Sequence, residues 1–235
     1  MPKFLTFTGQ TFLAYLDDWL AGLPEKTLEE VAPVPGETAV ISVDLIKGFC
    51  SIGPLASPRV NDIVPANVAL FKRAWGRGIR HIALTQDTHE PDAVEFDSFP
   101  PHCIRGSQES ETVEEISSLP FYPEMTIIEK NSIHSGLNTG LTAWLAEHPE
   151  INTFVVVGDC TDLCVYQIAM HLRLDANARQ LQRRVVVPAN CVDTYDTPVE
   201  FALAQGIPPH PADFLHATFL HHMALNGVEV LGKIL

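Results

Sequence analysis

The segment GDCTDLCVYQ (158–167) sets two thiols, Cys160 and Cys164, four residues apart at the mouth of a helical pattern. Such residues can be a nucleophile and its neighbour, a redox or metal pair, or two buried fillers. The spacing is not the Cys-x-x-Cys of thioredoxin-like or zinc-knuckle sites, and no second pair completes a tetrahedral centre. Cys164 falls where the first helical turn begins, with Thr161 and Asp162 as candidate caps. A helix amino terminus and a nearby Lys130 ammonium both lower a thiol pKa toward neutrality. Asp44 is then a candidate to accept the thiol proton and return it to a leaving group.

A second dense stretch is TQDTHEPDAVEFDSFPPHC (85–103). Asp87 and His89 alternate along an extended strand end, so both face one side. Glu95 and His102 follow within the same stretch. Two imidazoles with carboxylates suit one divalent ion, Zn²⁺ first and Fe²⁺ or Mn²⁺ next, rather than Ca²⁺. Glu90, Asp92 and Asp97 are alternative carboxylates, read more simply as solvated charge.

These residues need a frame that brings them together. The runs TAVISVDL (38–45), IRHIALTQD (79–87), MTIIEK (125–130), TFVVVGD (153–159) and RVVVPA (184–189) are short and mostly non-alternating. They suit strands covered on both faces, as in a parallel sheet. Helical stripes lie between them: Val64, Val68, Phe71 and Trp75, then Val165, Ile168, Ala169 and Leu172. PADFLHATFLHHMALNG (211–227) predicts a late helix, before a final strand VEVLGKI. This alternation predicts an α/β fold, a three-layer, doubly wound, mainly parallel sheet. Ligands of such sheets bind outside the carboxyl ends of the strands. Asp44, Asp87 and Lys130 stand at three of those ends, the turn of Gly158 to Cys164 follows a fourth, and Asp193 lies past a fifth.

Residues 1–37 read differently, as an amphipathic helix and an acidic, Pro-containing connector. They form an arm lying on the 38–235 domain or on a neighbouring subunit. The net charge of −14 leaves no basic block to neutralise phosphates, which excludes nucleic acid and anionic membranes as partners. No apolar run spans a bilayer and no signal pattern opens the chain, so a cytoplasmic protein with a small-molecule substrate is expected. The five cysteines form no disulfide framework. Cys50, Cys103 and Cys191 are read as packing residues.

Taken together, VDLIKGFC, TQDTHE…FPPHCIRGS, IEK and GDCTDLCV resemble, in order, the motifs of the nicotinamidases of the isochorismatase-like cysteine hydrolase superfamily. The Cys-Thr-Asp-x-Cys-Val turn and the closing HPADFLHATFLHHMA look most like the plant-type branch. The resemblance implies metal-dependent hydrolysis of nicotinamide to nicotinate and ammonia through a cysteine thioester. It assigns Asp44, Lys130 and Cys164 as catalytic triad, and Asp87, His89 and His102 as metal ligands. Glu95 stands where many relatives carry a third histidine. It also implies a cis Asp159–Cys160 peptide, an oxyanion hole from the backbone N–H groups of Cys160 and Cys164, and Phe49 and Phe99 against the pyridine ring. The family's aromatic residue shortly after the lysine has no counterpart in NSIHSGLN. A homo-oligomer is expected. The alternatives are another hydrolase of the superfamily, an isochorismatase or a different amidase, or a non-catalytic metal or thiol protein.

Overall fold

The computed structural model describes residues 4–235. Six parallel strands form its centre: β1 (Thr38–Val43), β2 (His81–Asp87), β3 (Thr126–Lys130), β4 (Thr153–Asp159), β5 (Arg184–Pro188) and β6 (Glu229–Leu231). Their spatial order is β3-β2-β1-β4-β5-β6, and the two-residue strand Val192–Asp193 lies beside the end of β4. That order reverses direction between β1 and β4, the doubly wound arrangement, and its crevice opens there. β1 and β4 are buried along their whole length, as their mostly apolar, non-alternating runs require.

The covering helices are α1 (Phe4–Ala21), α2 (Val64–Arg77), α3 (Leu141–Glu147), α4 (Cys164–Arg179), α5 (Val199–Gln205) and α6 (Ala212–Leu225). Successive strand residues point to opposite faces, so the sheet has two cores. Val40, Val155 and Val186 pack with Leu70 and Phe71 of α2 on one side. Ile41, Val156 and Val187 pack with Ile168 and Leu172 of α4, and with Leu220 of α6, on the other.

Three local readings change. The buried stripe of α2 is Val64, Asn67, Leu70, Phe71 and Ala74, with Val68 and Trp75 only partly covered. The Asn67 side chain belongs inside because its amide donates to Ile63 O and Cys191 O, both at 3.0 Å. The last strand breaks at Gly232, whose N–H donates to Pro24 O at 2.9 Å. Beyond the break, Lys233–Ile234 leaves the main sheet and pairs with Glu25–Lys26.

The connector also carries a short helix, Leu28–Val31, closed by a Thr27/Glu30 capping box. Val31 and Ala32 are fully buried in the α2-side core. Arg184 ties this helix down by donating to Glu30 O and Val31 O. Helix α1 lies against α6, where Phe12, Tyr15 and Trp19 set their rings edge-on around His221.

Candidate active site and metal centre

The site is assembled at the carboxyl ends of β1 to β4. The strands meet closely here: a Cβ on Gly158 (φ +106°) would sit 1.9 Å from Val43 O, so only glycine fits. Asp44 follows β1 in the left-handed region (φ +53°), a conformation that aspartate tolerates better than most residues. Its N–H donates to Thr85 O at 2.9 Å, and its Oδ1 accepts from the Asp87 N–H at 2.8 Å. Asp87 and Lys130 are register partners at the ends of β2 and β3, so their side chains leave the sheet together. The Lys130 ammonium lies 2.8 Å from Asp44 Oδ2, donates to Asp87 Oδ1, and stands 3.6 Å from Cys164 Sγ.

These charges are dry; the Asp44 and Lys130 side chains are both 0% exposed. Burial works against the Lys130 ammonium, but Asp44 and Asp87 outweigh it and hold its pKa well above the ordinary lysine value. Asp87 is likewise opposed by burial, yet Lys130 keeps its carboxyl below the usual range. Asp44 goes the other way, to about 6, because burial and the Asp87 charge exceed what Lys130 returns. Two carboxylates thus share one ammonium, and Asp44 holds its proton more readily.

The Cys164 thiol departs from expectation. Burial raises its pKa well above the ordinary value, only partly offset by Lys130, and Asp44 and Asp87 raise it further. Burial thus opposes the lowering expected from the helix terminus and Lys130. Thr161 and Asp162 are also not caps: residue 163 holds the N-cap position without a side-chain bond. Thr161 Oγ1 is instead bonded to His216 Nδ1 at 2.9 Å, and Asp162 Oδ2 to His210 Nε2 at 2.8 Å. The Asp159–Cys160 peptide bond is cis. Among the described residues, neither the Cys160 nor the Cys164 backbone N–H donates to a backbone carbonyl, and both residues are buried.

The metal candidates converge beside this group. Asp87, His89, Glu95 and His102 each place one ligand atom within 4.8 Å of the others. His89 Nε2 is 3.5 Å from Asp87 Oδ2 and 3.9 Å from Glu95 Oε1, and His102 Nε2 is 3.8 Å from Asp87 Oδ2. The Asn131 Oδ1 that accepts the Glu90 N–H lies 3.0 Å from His89 Nδ1, and Pro100 O lies 2.8 Å from His102 Nδ1. Each acceptor fixes the proton on Nδ1 and leaves an Nε2 lone pair facing the centre. His89 Nε2 is buried with no hydrogen-bond partner. A buried orphan nitrogen among carboxylates fits a divalent ion. Glu95 is oriented from behind, its Oε2 accepting the Ile133 N–H at 3.2 Å.

A cavity joins the two groups. Asp44 and Cys164 line it together with Asp87, Glu95 and His102, and Phe49 and Phe99 form part of its wall. Both rings pack near His102, at centroid distances of 5.6 and 6.2 Å. Sequence reasoning missed Leu55, Val60, Ile133, Leu163 and Tyr195, which also line the cavity; Ile133 stands three residues after Lys130, where no aromatic ring was found. It also missed Asp159, a buried acid in the cavity wall with Oδ1 unpartnered. Asp193 is turned away from the centre, pairing with Arg59 at 2.9 Å and so bracing the turn.

Residues 38–232 match the family model described as the isochorismatase domain. Nicotinamidase 1 of Arabidopsis thaliana is 30% identical over 83% of this chain and 85% of its own. A cysteine hydrolase of Pseudomonas syringae superimposes with a TM-score of 0.69 at 22% identity, over 83% of this chain and 88% of that one. Pyrococcus horikoshii pyrazinamidase, solved in complex with zinc, gives 0.64 at 21% identity, over 83% of this chain and 98% of that one. By the span of the domain match and the identity to the plant relative, the chain belongs to the isochorismatase family.

Proposed function

We propose that this protein is a metal-dependent amidase that hydrolyses nicotinamide to nicotinate and ammonia through a thioester on Cys164. One observation carries the reading: one cavity is lined by Cys164 and Asp44, with the Lys130 ammonium 3.6 Å behind the sulfur, and by Asp87, Glu95 and His102, beside which the orphaned His89 Nε2 lies. A non-catalytic thiol or metal protein would have no use for Asp44 and Lys130 buried between them. The nicotinamidase names of the plant and Acinetobacter baylyi relatives support the choice of substrate.

Asp87, His89, Glu95 and His102 would hold the ion, Zn²⁺ by their donor set and by the zinc in the pyrazinamidase neighbour. When bound, the ion supplies a Lewis-acid anchor for the pyridine nitrogen. Phe49 and Phe99 flank the ring and exclude water. Asp44 takes the Cys164 proton as Sγ attacks the carboxamide carbon, so the thiol need not ionise beforehand. Lys130 offsets the negative charge shared by Asp44 and the reacting sulfur. The oxyanion forms against the Cys160 and Cys164 N–H groups, a stabilisation worth about 3 kcal/mol per donor. The C–N bond breaks as Asp44 gives its proton to departing ammonia. Water then adds to the thioester, Asp44 accepts its proton, and breaking the C–S bond restores the thiol and releases nicotinate.

All five cysteines are free and buried, which supports a reducing, cytoplasmic compartment. No helix among the described residues is long and apolar enough to cross a membrane. Exposed Val199 and Leu203, one turn apart on α5, support association between copies. Ammonia release from nicotinamide, measured with the metal content of the same sample, tests the function. Equal activity before and after metal removal would refute the metal dependence, and no ammonia from metal-loaded protein would refute the substrate.

A further inference from the structure

The opposite end of the sheet carries a second set of metal-ligand side chains. His81 opens β2, His148 follows α3, and Glu150 lies in the turn that leads to β4. His81 and Asp87 are the two ends of one strand, so this cluster stands roughly 20 Å from the candidate active site at about 3.3 Å per residue.

Its geometry is that of ligands around a shared centre. His81 Nε2 and His148 Nδ1 are each 3.4 Å from Glu150 Oε1. One ligand atom from each of the three residues lies within 4.8 Å of the others. Hydrogen bonds of this type run about 2.7–3.2 Å. Tetrahedral neighbours at zinc, with bonds of about 2.0–2.2 Å, stand roughly 3.3–3.5 Å apart. The two contacts match the second spacing.

The rings are held in place rather than free. The His81 and His148 centroids are 4.4 Å apart, and the buried Trp144 packs edge-on against both, at 6.4 and 5.0 Å. The side chains remain 21%, 29% and 45% exposed, leaving a path for an ion and for water in the open position.

We propose that His81, His148 and Glu150 form a second divalent-metal site, of zinc type, that clips the start of β2 to the connection between α3 and β4. It lies at the opposite end of β2 from the candidate active site, and it stands whether or not the amidase reading does.

The test uses the full chain carrying His89→Ala, which silences the candidate catalytic centre, and compares it with the same chain carrying His148→Ala or Glu150→Gln as well. Zn²⁺ binding is measured by equilibrium dialysis and by the shift in melting temperature. The expected result is one zinc per His89→Ala chain with a raised melting temperature. Adding either change weakens binding roughly tenfold or more and removes the shift. In the otherwise native chain, Glu150→Gln lowers the zinc stoichiometry by one and leaves nicotinamide turnover unchanged, which keeps the test valid if His89→Ala folds poorly. Equal zinc binding with and without Glu150→Gln, an adventitious ion only, would overturn the proposal. So would the absence of this second zinc from both backgrounds.

Discussion

Glu129 and Lys130 are consecutive residues of β3, and each sits in an ion-pair cluster. Glu129 faces outward, where Arg105 joins it and Glu90 with all three side chains about half exposed. Lys130 faces inward, where Asp44 and Asp87 meet it without solvent. Each cluster sets one cation between two carboxylates, and burial is the main difference between them. In water, a Coulomb gain is nearly cancelled by screening and side-chain entropy. In the dry rim, each charge depends on its partners, and the proton distribution among them becomes part of the chemistry. A strand that turns one residue out and the next in therefore places a solvated ion-pair cluster and a dry one side by side.

Removing the inner cation gives the largest expected effect. Lys130→Met leaves two buried carboxylates facing each other, which should cost about 3–5 kcal/mol in denaturant melts and abolish nicotinamide turnover. A melt like that of the native protein would mean that Lys130 does not hold the rim together.

The metal side should be the next most sensitive. Glu95→Ala should weaken Zn²⁺ binding at the active site well beyond tenfold if Oε1 coordinates directly, and by roughly 10–100-fold if it acts through water. Glu95→His should retain the ion. Unchanged affinity in Glu95→Ala would leave a three-residue Asp/His/His centre.

A smaller and pH-dependent effect belongs to the Asp162–His210 pair, which braces the turn carrying Cys164. Burial opposes both charges, but the pairing raises the His210 pKa and lowers that of Asp162. A raised histidine stabilises the fold below its unfolded pKa and loses this as pH rises through its folded pKa. A lowered aspartate stabilises above its unfolded pKa and loses this as pH falls through its folded pKa. The stability difference between the native protein and His210→Gln should thus be greatest between about pH 4 and 6.5 and shrink on either side. A difference independent of pH would remove the ion pair from the account.

The smallest effect tests the outer cluster. Arg105→Ala and Glu129→Gln should each move the melting temperature by less than about 2 °C and leave turnover intact. A shift as large as that of Lys130→Met would erase the contrast between the two sides of β3.

Much of the inner rim was legible because a parallel sheet announces itself. Its strands are short, mostly apolar runs, and a charge closing one stands out, as Asp44, Asp87 and Lys130 do. His89, Glu95 and His102 were legible by donor type and local spacing. Residues contributed from distant chain segments were not. Tyr195, His210 and His216 reach the site from beyond β5, and nothing in their local pattern points toward the turn at Cys160. The capping expectation failed for the same reason, since Thr161 and Asp162 had better partners far away in sequence. The Cys164 thiol was misjudged because sequence shows the neighbouring cation but not how completely the pocket excludes water. The stripe of α2 turned because a buried asparagine found backbone acceptors, which periodicity of apolar residues cannot register.

The central claim is that Cys164 supplies its sulfur and Cys160 only its backbone. Ammonia release from nicotinamide by metal-loaded Cys164→Ala and Cys160→Ala, each checked for native folding and metal content, tests this most directly. The account predicts a loss of at least about 10³-fold in kcat for Cys164→Ala and most of the activity kept in Cys160→Ala. Turnover surviving in Cys164→Ala, or an equal loss in Cys160→Ala, would contradict it.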